Sequence, residues 1–185
     1  MDVTLLPHPS TPAPAVKRLT VEFAQVAGHR LHLAYRLAGD TEALVWPQAQ
    51  PGPRRADGLW RHTCFEAFLQ APGGEYWEYN LSPSGAWAAY EFSAYRAGMK
   101  PLACSSDPAI DCQRGPNSFE LSATLDLQWL AVRHSLAALR LGLTAVIEDR
   151  SRVLSYFALE HAAEKPDFHH AGGFAAVLAP VKEQA

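Results

Sequence analysis

The chain has three cysteines, Cys64, Cys104 and Cys112, with no Cys-x-x-Cys pair. An odd number without that spacing argues against a disulfide framework, a structural zinc site and a covalently attached haem. Methionine is scarcer still: Met99 is the only one besides the initiator. No apolar run approaches the length of a bilayer span, and the opening residues lack a basic stretch followed by an apolar one. Neither a membrane span nor an export signal is therefore expected, and a cytoplasmic location is. Charge of one sign is also lacking, since 16 basic and 19 acidic residues leave a net charge of -3. That field is too weak to hold a nucleic acid or an anionic lipid surface, so neither is expected as a partner. No Gly-rich phosphate loop precedes a helical segment, and Ser84 in "SPSG" lacks the Gly-x-Ser-x-Gly elbow of a nucleophile.

What the chain does have is a core and many turns. Hydrophobic residues make up 48% of its 185 positions, beside 14 Pro and 12 Gly, which fits one globular domain rich in reversals. Residues 1–18, with "PHPSTPAPA" at their centre, read as a flexible Pro-rich leader ahead of a single domain over residues 19–180. Val21 and Phe23, then Leu31, Leu33, Tyr35 and Leu37, alternate with polar residues at the period of a strand, and Ala27-Gly28 between them suits a hairpin turn. "FELSATLDL", "LRLGLTAVIE", "VLSYFAL" and "FAAVL" continue in the same style. Trp129, Val132, Leu136 and Leu139 are the one set at helical spacing, enough for a turn or two. About ten short strands with at most one short helix predict an all-β fold, an antiparallel β-sandwich.

The stretch from Arg54 to Phe92 concentrates three of the five tryptophans with Glu66 and Glu78. Successive side chains of a strand point to opposite faces. Thr63, Phe65, Ala67 and Leu69 therefore share one face and Cys64, Glu66 and Phe68 the other. In the next run Trp77, Tyr79 and Leu81 oppose Tyr76, Glu78 and Asn80. An odd-length turn within "QAPGG" makes residues of equal parity partners, so the aromatics meet on a core face and Glu66 lies beside Glu78 or Asn80. A third run, "AWAAYEF", puts Trp87 and Glu91 on one side and Tyr90 and Phe92 on the other. Two neighbouring carboxylates on one sheet face persist if solvated, proton-sharing, paired with arginine or engaged by a ligand. Flat rings beside Glu and Asn are what a sugar needs, rings for its apolar faces and polar groups for its hydroxyls.

"DGLWRHTCFEAFL", "YWEYNLSPSGAWAAYEFSAYRAGM", "LTAVIED" and "SYFALEHAAEKPDFHH" together resemble the bacterial DOMON-like domains, relatives of the dopamine β-monooxygenase N-terminal domain and of family 9 carbohydrate-binding modules. The resemblance spans residues 54–170. It implies an antiparallel β-sandwich with a sugar or haem pocket on one sheet. By the family-9 pattern, a Trp ahead of a strand with an inward Glu falls on Trp60 and Glu66, and Trp87 is the candidate for a second stacking ring. For haem, the resemblance implies a Met and a His as axial ligands, here Met99 facing His161 or His169.

Glu160, His161, Asp167, His169 and His170 cluster after the last long run, but His-x7-His-His follows no tight metal spacing, and Asp167 after Pro166 is better suited to capping a turn. No metal or other cofactor is expected. The expected function is a non-catalytic module for a small ligand, foremost a carbohydrate or cell-wall-precursor-like molecule, bound by Trp60, Glu66, Glu78, Asn80, Trp87, Tyr95, Arg96 and His169, with no catalytic residue. The alternatives are an acid-base enzyme acting on a sugar through Glu66 and Glu78, and a haem-binding redox domain. Glycoside hydrolysis wants carboxyls about 5–9.5 Å apart across a cleft, whereas neighbours on adjacent strands share one wall.

Overall fold

A computed structural model describes residues 1–49, 51 and 54–178. Its twelve strands are β1 (Asp2–Pro7), β2 (Val16–Val26), β3 (Arg30–Gly39), β4 (Cys64–Gln70), β5 (Tyr76–Leu81), β6 (Trp87–Phe92), β7 (Lys100–Pro101), β8 (Ala109–Arg114), β9 (Ser118–Asp126), β10 (Arg140–Glu148), β11 (Leu154–Ala158) and β12 (Ala176–Val177). They hydrogen-bond in the order β7-β6-β5-β4-β10-β11-β1-β2-β3-β9-β8, with β12 on β10, and all these neighbours run antiparallel. The all-β fold is the one expected from the alternating runs. The path doubles over on itself, so that β4, β5, β6, β10 and β11 form one layer and β2, β3, β8 and β9 the other.

Aromatic side chains join the layers. The Phe65 ring of β4 stacks on Phe119 of β9 with centroids 5.6 Å apart and tilts against Tyr35 of β3 at 5.1 Å. The Tyr35 hydroxyl donates to the Glu66 carbonyl at 2.6 Å, which satisfies a buried phenol between the sheets. The hairpin turn after β2 falls where Ala27-Gly28 predicts it, with Gly28 at φ 71° and His29 at φ 57°. In both central turn positions the positive φ matches the right-handed strand twist.

The leader is a correction. Its first residues form β1, whose Asp2 to Leu5 pair with β2 while Leu6 and Pro7 pair with β11, so the strand bridges the two layers. Proline-rich composition beyond Pro7 hid a short strand signal in Val3 and Leu5, and Leu5 is 2% exposed in the core. The helical spacing around Trp129 yields α1 (Gln128–Ala131) and a separate 3-10 turn over Leu136–Ala138; Val132, beyond the end of α1, points to solvent. Among the described residues no helix is long and apolar enough to cross a membrane.

Because β1 closes the seam between layers, Leu5→Ala is expected to lower unfolding free energy by about 2–4 kcal/mol. Denaturant unfolding followed by tryptophan fluorescence measures it, and an unchanged midpoint would restore a leader with no structural role.

Candidate functional site

Phe68, Tyr76, Ala88, Tyr90 and Phe92, which turn away from the core on β4 to β6, form with Phe174 a second, smaller apolar cluster. Two segments lie over this face. One is the 3-10 turn Leu59–Arg61, entered through Gly58 at φ 76°, a conformation that favours glycine. It presents Trp60, whose ring meets Tyr90 edge-on at 5.9 Å. The other follows β11 and carries Phe168, His169 and Phe174. Gly142 of β10 is what lets Phe174 lie flat on the sheet, since a Cβ there would sit 2.5 Å from the Phe174 ring.

Between these segments opens a cleft of about 310 Å³, with Glu66, Glu78 and Val146 on its floor and Trp60, Phe92, Tyr156 and Phe168 among its walls. The volume is at the small end for a ligand site. Glu66 is 2% exposed, and its register partners are Asn80 on β5 and Thr144 on β10. Thr144 Oγ1 donates to Glu66 Oε2 at 3.3 Å, while Glu66 Oε1 has no hydrogen-bond partner. Burial, with the nearby Glu78 charge adding to it, pushes the Glu66 carboxyl well above the ordinary range. Glu78 receives a hydrogen bond from Asn80 Nδ2 at 2.6 Å. Burial still raises it to about 7, against the lowering effects of Asn80 and of Arg96.

His169 stands on the opposite wall. Its Nδ1 is 2.9 Å from the Tyr76 hydroxyl, which accepts from the Arg96 backbone N–H at 3.1 Å. A phenol that accepts from Arg96 has its own hydrogen to give to Nδ1, which leaves the imidazole hydrogen on Nε2, 3.9 Å from Glu78 Oε2. Burial, then the Arg96 charge, holds His169 down at about 4, so the ring is neutral near pH 7 and the His169–Glu78 approach is not an ion pair there. Asp167 locks the rim: it accepts from the Tyr95 hydroxyl at 2.5 Å, from Arg96 Nη2 at 2.7 Å and from the His169 backbone N–H at 3.1 Å. Although burial works to raise it, these donors keep Asp167 below the usual carboxylate range.

Five of the eight expected residues, Trp60, Glu66, Glu78, Arg96 and His169, line this cleft. Asn80 is fully buried behind it and acts by holding Glu78, and Tyr95 acts on the rim through Asp167. Trp87 is a correction. It pairs with Leu81 on the core face, 2% exposed beneath the Arg55 guanidinium, because the β5–β6 turn keeps odd residues inward. Sequence reading missed Val146 and Tyr156, which parity with Thr144 along β10 and its partner strand could have supplied, and Phe92, whose outward side was already implied by Tyr90. Met99 also lines the cleft; Nδ1 of His169 is engaged by Tyr76, and Nε2 lies 3.9 Å from Glu78 Oε2. His161 instead meets the Leu6 carbonyl at 2.8 Å and the His8 ring, and His170 accepts from the Gly172 N–H. Among the described residues no three His, Cys, Asp or Glu side chains converge as a metal requires.

A wider depression of about 630 Å³ on the outer face of the other layer includes Arg18, Arg36, Arg114 and Glu120. Its ion pairs of Arg36 with Glu22 and Glu120 are exposed, and it offers no buried polar atom lacking a partner. The carboxylate cleft is therefore the stronger candidate.

A carboxyl raised by burial makes the folded state hold a proton that the unfolded chain releases, so its stabilising effect is present at low pH and lost as pH rises through the folded value. For Glu78, raised from 4.5 to about 7, stability falls between those two values. Glu78→Gln is expected to be about 2–3 kcal/mol more stable than wild type at pH 8–9, with little gain at pH 4. Chemical denaturation at the two pH values tests this; an equal effect at both would contradict the raised carboxyl.

Neither a protein family model nor a protein of curated function matches the sequence. In fold the chain is similar to a crystal structure from Bacteroides uniformis described as a "putative carbohydrate-binding protein", with a TM-score of 0.66 at 16% identity, over 95% of this chain and 84% of that one.

Proposed function

We propose that the chain is a non-catalytic small-ligand module whose cleft takes a carbohydrate or a cell-wall-precursor-like molecule. The observation that carries this reading is Glu66 Oε1, an acceptor buried at the floor of an aromatic-walled cleft and left without a partner. Leaving a buried acceptor unpaired costs about 1–3 kcal/mol, which a ligand hydroxyl would recover. Trp60, Tyr156 and Phe168 offer the flat apolar surfaces against which a sugar ring packs. The description of the structural neighbour and the resemblance to DOMON-like and family 9 carbohydrate-binding domains support the same reading. The hydrolase alternative is weaker, because Glu66 and Glu78 rise from adjacent strands of one floor and do not flank a bond from two sides.

Titration with a panel of mono- and disaccharides, followed by tryptophan fluorescence, is expected to find at least one sugar bound more tightly than about 1 mM. Trp60→Ala is expected to weaken that affinity about tenfold, by loss of the stacking wall. A panel in which no sugar reaches millimolar affinity would overturn the proposal.

A further inference from the structure

Three carboxylates are buried on the outward face of the β4-β10 layer, and they are treated differently. Glu148 has a full set of donors: Arg152 Nη1 and His62 Nδ1 each lie 2.8 Å from one of its oxygens. Those partners hold Glu148 below its ordinary range, against the opposing effect of burial. Glu66, two outward-facing rows away, has only the neutral Thr144 hydroxyl, and among the described residues it forms no ion pair. Glu78 has the neutral Asn80 amide and an uncharged imidazole at 3.9 Å. Among the described residues Arg96 is the one cation that bears on Glu78, and its guanidinium is paired with Asp167 at 2.7 Å. Around the pair, Tyr76 and Cys64 add no positive charge.

The floor thus carries two carboxyls without a counter-charge for their ionised form, inside an enclosure of rings. Glu66 Oε1 independently marks a place where a hydrogen-bond partner is missing, since it is buried and unpartnered on a side chain that lines the cleft. A hydroxyl would supply a hydrogen there but no counter-charge for the pair when it ionises. An ammonium supplies three hydrogens and the charge together, and the faces of Trp60, Phe92, Tyr156 and Phe168 favour a cation beside them.

We infer that the ligand presents a free protonated amine to Glu66 and Glu78, so that the cleft selects amino sugars over their neutral counterparts. The inference rests on the reading of the cleft as a sugar site. In the empty cleft Glu66 keeps its proton near pH 7 and Glu78, raised to about 7, keeps its own in about half of the molecules; when the ammonium binds, the pair gives up its second proton to solvent and holds one, so that its single negative charge balances the ammonium. Affinity for an amine therefore rises as pH increases through about 7, until the amine itself loses its proton.

Calorimetric titration of the full chain with glucosamine, N-acetylglucosamine, glucose and ethanolamine, in two buffers of different ionisation heat at pH 7, tests this. Glucosamine is expected to bind at least about tenfold more tightly than the other two sugars and to release a proton. Glu78→Gln, nearly isosteric, removes the carboxyl that ionises near pH 7 and is expected to erase that preference. Equal binding of the three sugars without proton release overturns the inference and leaves the sugar reading intact. Ethanolamine as tight as glucosamine, with glucose inert, upholds the amine and overturns the sugar. Silence from all four probes overturns both.

Discussion

Glu66 faces Asn80 on one side and Thr144 on the other, and this three-strand row holds the molecule's two faces in place. The period of a strand is two, so a slip of one residue along β4 would turn Phe65, Ala67 and Leu69 outward and drive Glu66 into the core. The core resists that slip. Each large apolar side chain it buries contributes about 1.5–3 kcal/mol, and Phe65 is additionally keyed between Tyr35 and Phe119 of the opposite layer. The Tyr35 hydroxyl, bonded to the Glu66 carbonyl, adds a polar pin at the same position. Packing on the inner face thereby fixes where carboxylates stand on the outer one.

Their burial is tolerated because a carboxyl that keeps its proton is a neutral group. Asn80 and Thr144 meet part of the pair's hydrogen-bonding capacity without charge, whereas Glu148 on the same face is met by charged and polar donors from His62 and Arg152. The contrast lies within one sheet, where Glu66 and Glu78 lie deeper than Glu148 and also lack its donors, so depth and neighbours act in the same direction. A site that withholds a partner from a buried acceptor is less stable than it could be, a common accompaniment of ligand binding.

Much of this was legible in the residues alone. The parity of "TCFEAFL" and "YWEYNLS" led to the right faces and to Glu78 or Asn80 beside Glu66, of which Asn80 is the partner, because the five-residue reversal between Gln70 and Tyr76 is odd and free of bulges. Trp87 was misplaced because its parity was read without deciding which face of β6 was the core; counting from Leu81 across the turn resolves it. β1 and β8 escaped for a different reason. In each, fewer than half the residues are buried, and β1 owes its conformation to partners far along the chain. The latch of Tyr95, Arg96 and Asp167 is equally non-local, joining residues more than seventy positions apart.

The sheet path has two ends. At one, β7 is two residues long and consists of Lys100 and Pro101. At the other, β8 carries Asp111, Gln113 and Arg114 along its free margin. Because β1 joins the layers at the seam, what remains open to an incoming strand is a stub with a charge and a missing amide, and a strip guarded by charges of both signs. Such margins make poor templates for a ladder of backbone hydrogen bonds. Each margin therefore offers little that another copy's strand could extend.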